Sequence, residues 1–173
     1  MNPLSLPRTR RETLAQLSIL LGGATVAAHA QQPSMQQAPS SSANRSRTSL
    51  HQEIDYAVSP ARIIEILLDS KQFAAFTGMS AQIDPTPGGA FKLFSGLVEG
   101  RTIEVVPAQR IVQAWRPASW GSGVYSVVRF ELNGSGARTT VALDHSGFAE
   151  GLYDHLYEGW NQHYWDPLRK YLG

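Results

Sequence analysis

Cysteine is absent from the 173 residues, which excludes a disulfide framework, a thiolate nucleophile and any Cys-bound zinc or iron–sulfur centre. Stability has to come from a packed core. Charge is scarce and balanced, with 15 Lys and Arg against 14 Asp and Glu, so no basic stripe suits nucleic acid and no charge block suits a membrane surface. Nor is there a Gly-x-Ser-x-Gly elbow around Ser119, Ser122 or Ser126. Gly88-Gly89 follows a Pro-rich turn and Gly134-Ser135-Gly136 joins two strands, so neither opens a helix as a phosphate cradle must. No cofactor is expected. Aromatic residues are missing from the first 55 positions, and all 6 Phe, 6 Tyr and 4 Trp fall between Tyr56 and Tyr171. The large side chains that build cores are thus confined to the later part of the chain.

What the first 30 residues do contain is an export signal: Arg8, Arg10 and Arg11, then an apolar stretch over 14–28, then Ala28-His29-Ala30 as a small-x-small cleavage site. The pair Arg10-Arg11 resembles a twin-arginine motif, with Thr13 where Phe is usual, and Gln16, Ser18, Gly22 and Gly23 dilute the apolar stretch in a way that suits that route. Its 15 residues fall short of the roughly 20 that span a bilayer, so no membrane span is expected after cleavage, and the domain is placed in the periplasm or outside the cell. Residues 31–49 carry Gln, Ser and Pro with little worth burying and read as a disordered linker. Without Arg8, Arg10, Arg11 and Glu12 the chain keeps 12 basic and 13 acidic residues, a net charge of −1.

From Leu50 onward the pattern is globular, one domain over 50–173. Alternation over 50–58 predicts a strand. Ser59 can cap and Pro60 can open a helix carrying Ile63, Ile64, Leu67 and Leu68 at helical spacing, with a second short helix over 71–76. Six short strands follow, over 81–84, 89–94, 97–106, 110–116, 125–132 and 138–145, separated by turn sequences that favour antiparallel hairpins. Leu152, Leu156, Trp160, Tyr164 and Leu168 then make a long amphipathic helix, in which Pro167 predicts a kink or restart near Trp165. The fold class is α+β: a curved antiparallel sheet of six to seven strands wrapped around a long C-terminal helix, with two short helices after strand 1.

Several phrases in this order resemble one family: Arg110 to Arg116 (RIVQAWR), Trp120 to Ser126 (WGSGVYS), Thr139 to Gly147 (TTVALDHSG), and Gly159-Trp160 with Tyr164, Pro167 and Leu168. They are similar to the Aha-type branch (activator of heat-shock-protein ATPase homologue) of the START/SRPBCC helix-grip superfamily, over about 50–172. The resemblance implies the helix-grip fold. It does not by itself fix a function, because the superfamily hosts lipid carriers, receptors, cyclases and chaperone activators, and an export signal would remove this chain from a cytosolic chaperone.

The residues offer no complete catalytic set. Asp144 and His145 are neighbours on a strand and point to opposite faces, so His145 is expected to fasten the last strand to the helix near Trp160. His155 and Glu158 have the i, i+3 spacing of two metal ligands, but His163 lies two turns away and nothing completes a shell. A curved sheet over a rigid helix leaves room for a small hydrophobic or amphipathic ligand. The candidate lining is Phe76, Phe91, Trp115, Trp120, Tyr125, Arg129, Tyr153, Tyr157, Trp160 and Tyr164. Non-catalytic binding of such a ligand is the leading expectation. The alternatives are a cyclase- or hydrolase-type enzyme using His145, Arg129 or Tyr125, and a protein-interaction or chaperone-assisting module. The domain is a monomer or a homodimer in either case.

Overall fold

The computed structural model describes residues 46–173. The leader with Arg10, Arg11, Ala28 and Ala30, and the linker as far as residue 45, lie outside the described residues. Strict alternation of buried and exposed side chains makes Ser49–Tyr56 the first strand, β1. Ser59 ends it and starts α1 (Pro60–Leu68): its hydroxyl accepts the Arg62 N–H, and Pro60 sits where its missing N–H costs nothing. Asp69 closes α1 and caps α2 (Ser70–Thr77), its carboxylate accepting the Lys71 and Gln72 N–H groups.

The remaining strands are β2 (Gln82–Ile83), β3 (Ala90–Leu93), β4 (Val98–Val106), β5 (Arg110–Pro117), β6 (Ser126–Ser135) and β7 (Arg138–Ser146). They form one antiparallel seven-stranded sheet in the order β1-β7-β6-β5-β4-β3-β2. The described structure is thus the α+β helix-grip arrangement. Most boundaries differ from expectation by a residue or two, and two of the differences have a local cause. The strand expected over 81–84 keeps only Gln82–Ile83, because Pro85 cannot continue the ladder. Strand β6 runs on to Ser135, since Gly136, at φ +60°, makes a two-residue turn with Ala137 and the whole phrase 133–136 is not needed as a loop. A bulge between Thr102 and Glu104 shifts the register of β4 against β5 and puts Glu104 on the outer face beside Ile103, which the alternation of types in the sequence does not reveal.

The C-terminal helix comes in three parts: α3 (Tyr153–Trp160), a wide π turn (Asn161–Trp165) and α4 (Asp166–Leu172). The restart expected near Trp165 is found, and its form is a π turn. Pro167 cannot donate to the carbonyl four residues back, and just before it the Asp166 N–H reaches the Asn161 carbonyl instead. The wider turn brings Tyr164 and Trp165, consecutive residues, both into the core.

Inside the grip the rings fill the space. Trp160 lies 4.9 Å from Trp115 and 4.9 Å from Tyr164, and stacks on Trp165 at 5.7 Å. Phe130 stacks on Tyr164 at 5.9 Å, and Phe73 and Phe76 close the other side of Tyr164. Among the described residues no buried side-chain nitrogen or oxygen lacks a partner.

Candidate functional site

The helix is fastened to the sheet by polar pegs. Trp160 donates its indole N–H to His145 Nδ1 at 3.1 Å, and His145 Nε2 lies 2.8 Å from Ser126 Oγ. An indole can only donate, so Nδ1 is the bare nitrogen, Nε2 carries the hydrogen toward Ser126, and Ser126 passes its own to the Trp115 carbonyl. Burial pushes the His145 imidazole down to about 4, so it is neutral at ordinary pH. A second peg joins Trp165, whose indole donates to Gln52 Oε1 at 2.7 Å, while Gln52 Nε2 donates to the Tyr157 carbonyl. His145 is therefore a fastener, as its neighbourhood with Trp160 suggests from sequence. Asp144 points the opposite way and binds His51 on the outside at 2.7 Å.

The ten aromatic and polar residues expected around a ligand separate into distinct groups. Phe76, Phe91, Trp115, Trp160 and Tyr164 are buried and pack largely against one another. Trp120 is half-buried at the edge of that cluster. Tyr153, half-buried at the edge of the core, stacks on the exposed Tyr157 at 5.9 Å, with the Arg47 guanidinium over its ring. Arg129 is on the outer face of the sheet, paired with Glu131, and Tyr125 is 46% exposed. The three residues of the cyclase or hydrolase reading are not brought together: His145 is inside, Arg129 is outside, and the His145 ring nitrogens are both engaged. Glu104 belongs to an outer-face ion-pair band with Arg110 and Glu131. Among the described residues no group of three or more His, Cys, Asp or Glu is placed to hold a metal ion, and no helix is long and apolar enough to cross a membrane.

A markedly apolar opening lies elsewhere, along the flank of α3. Met79, Phe94, Leu97 and Val98 form one wall; Leu156, Gly159 and Tyr164 form the other; His155 and His163 stand on the rim, and the groove encloses about 370 Å³. Of the ten expected residues only Tyr164 lines it. Three local irregularities meet here. Phe94 and Ser95, in the short turn Phe94–Gly96, both take left-handed backbone angles, φ 52° and 58°, a conformation that costs of order 1–3 kcal/mol for each residue with a side chain. The π turn supplies His163 and Tyr164. Gly159 sits in mid-helix with open space where a Cβ would be. Leu97, at the lip, leaves 59% of its surface exposed.

The strained lip is held by the Ser95 N–H donating to the Ser80 carbonyl and the Ala118 N–H to the Leu97 carbonyl, each at 2.8 Å. Glycine adopts φ near +58° freely, so Ser95→Gly should stabilise the domain by up to about 1 kcal/mol while Ser95→Val should cost at least about 1 kcal/mol. Urea unfolding of the two variants beside the parent checks this, and equal midpoints would show the lip to be unstrained.

A model of the family described as "Activator of Hsp90 ATPase homolog 1-like protein" matches residues 57–173. The human "Activator of 90 kDa heat shock protein ATPase homolog 1" is 23% identical over 118 residues, 68% of this chain and 35% of that protein. The chain spans about a third of the length of the curated relatives it matches. Among solved structures, an HSP90 activator from Plasmodium falciparum superposes with a TM-score of 0.70 at 25% identity, covering 73% of this chain and 97% of that one. CalU16 from Micromonospora echinospora gives 0.62 at 20% identity, covering 72% and 76%, a likeness of fold. The family match takes in α1, the sheet from β2 to β7, both pegs' helix-borne tryptophans and the whole groove, and by it this chain belongs to the Activator of Hsp90 ATPase homolog 1-like family.

Proposed function

We propose that the domain is a non-catalytic binding module that takes a small apolar or amphipathic molecule in the groove between α3 and the Phe94–Val98 lip. One observation carries this reading: backbone strain, a π turn and an unfilled helical glycine converge on one apolar opening of ligand size, about 370 Å³. Pro167 and the burial of Tyr164 and Trp165 account for the π turn, but core packing explains neither the strained lip nor the open glycine. The aromatic interior, its rings packed against one another, serves as a rigid backing for the groove. The same reading keeps the export route of the sequence: the leader led by Arg10 and Arg11 is removed after Ala30 and the domain works outside the cytoplasm. Export that is undiminished after Arg10→Lys and Arg11→Lys together would reject the twin-arginine route.

Gly159 supplies the test. Gly159→Ala adds a methyl group that meets nothing within 4 Å and removes a mid-helix glycine, so it should stabilise the fold by about 0.5–1 kcal/mol. Gly159→Phe should keep the fold and fill the groove. Amide shift perturbation with a panel of small lipids, polyketides and aromatics should move Leu97, Leu156, Gly159 and His163 in the parent, and these shifts should vanish in Gly159→Phe. Shifts that persist in that variant, or none in the parent, would overturn the reading.

A second reading has its own observation. Ile103 and Val127 lie exposed on the outer sheet face, 51% and 44% accessible. They would suit a protein partner, as the chaperone-activating names of the relatives suggest. The Arg and Glu pairs around them, Glu104–Arg110 and Arg129–Glu131, already satisfy each other, which leaves that face less apolar than the groove.

A further inference from the structure

Resting on that reading, we infer that the groove's ligand is an elongated amphiphile with an anionic, carboxylate-like head, its chain along Gly159 and its head on a rim imidazole. The walls supply the chain's environment: Met79, Phe94, Leu97, Val98 and Leu156 offer no hydrogen bond, and no carboxylate is among the lining residues. The only exposed polar side chains on the lining are His155 and His163. Among the described residues neither imidazole has a hydrogen-bond or ion-pair partner, unlike His145, held by Trp160 and Ser126, and His51, held by Asp144 and Glu53.

A neutral imidazole has one ring N–H to give and one bare nitrogen that accepts, and its N–H bonds an ionised oxygen more strongly than a neutral one. Two such N–H groups on a lining without carboxylates can hold a head-group oxygen, and a carboxylate oxygen more firmly than a hydroxyl. A cationic head finds no carboxylate on the lining. The pair also sets a length. His155 and His163 are eight positions apart on the same helix flank, about 12 Å along the axis at the helical rise. Gly159, midway, leaves the path between them clear. A medium-length chain fits this run with its head at either imidazole.

Octanoate, 1-octanol and octylamine, which share one chain and differ in the charge of the head, test the inference in the intact domain by titration with amide-shift detection. Octanoate should bind at least about tenfold tighter than octanol, the size of one charge-assisted hydrogen bond, and octylamine weakest. The double variant His155→Phe, His163→Phe changes two exposed residues, so it should keep the fold, and it should bring the octanoate-to-octanol affinity ratio down to about one. Equal binding of all three probes, or a preference for the amine, overturns the head-group inference and leaves the groove reading standing. An octanoate preference that survives in the double variant places the head elsewhere and also overturns it. Failure of every probe to shift the groove residues, at concentrations where each stays monomeric, sinks both.

Discussion

Trp160→Ala should remove about 3–5 kcal/mol of folding stability, a loss at the top of the range for a single truncation in a core. Trp160 is 5% exposed and its indole touches Trp115, Phe130, Tyr164 and Trp165, so truncation opens a hole bounded by rigid rings that cannot collapse into it. It also strands the bare Nδ1 of His145. Packing and hydrogen bond are separable. Trp160→Phe keeps most of the apolar area and leaves the imidazole without its donor, at a cost of about 1–3 kcal/mol. His145→Leu leaves the indole N–H without an acceptor, at a similar cost. The double variant orphans neither group and should be at least about 1 kcal/mol more stable than the two single losses add up to. Urea unfolding followed by far-ultraviolet circular dichroism measures all four proteins, and strict additivity would mean that the peg contributes nothing beyond packing. Trp160 holds the helix from its sheet side, and Gly159, its neighbour, is what leaves the other flank open.

The fold could be read from the chain because it is written in local rules. Ser59-Pro60 starts a helix, the alternation of Leu50, Gln52, Ile54 and Tyr56 makes a strand, and Pro167 forces an irregular turn in the last helix. The family phrases, such as Trp115 in RIVQAWR and His145 in the last strand, belong to the same frame. Less legible was everything that depends on the third dimension. Large aromatics on facing elements could line a space or fill it, and only the ring distances show that Trp115, Trp160 and Tyr164 fill it. The face of Arg129 depends on register across β5, β6 and β7, where it pairs with Val112 and Asp144 on the outside. The bulge at Thr102 leaves no mark in residue types. One signal for the groove was present: Gly159 lies inside an amphipathic helix that it does not end, and a mid-helix glycine asks for a reason. The left-handed turn at Phe94–Ser95 gave no such warning, since neither residue is one that usually takes that conformation.

Acid should weaken the domain through His145, by about 3 kcal/mol between pH 6.5 and 4. Burial lowers its pKa from the ordinary 6.5 to about 4. The unfolded chain therefore takes up a proton in a range where the folded chain does not. The contribution is whole above pH 6.5, declines as the pH falls toward 4, and is constant below that. Protonation at Nδ1 would also set two donors, the imidazolium and the Trp160 indole, against each other. His51 works in the opposite direction: its hydrogen bond to Asp144 raises its pKa, so its contribution is present in acid and is lost as the pH rises through the raised value. That pair is about half exposed, and water screens it. Glu65, Glu104 and Asp84 are held below the usual carboxylate range by their hydrogen-bond partners, so what they contribute is lost at the acid end of the range and below it. His145→Gln isolates the effect, because a carboxamide can accept from Trp160 and donate to Ser126 without titrating. Urea midpoints of the parent should fall steeply from pH 6.5 to 4.5, while those of the variant stay nearly level. Parallel curves would show that the imidazole exchanges its proton without leaving the indole, and that the peg between β7 and α3 is looser than 3.1 Å implies.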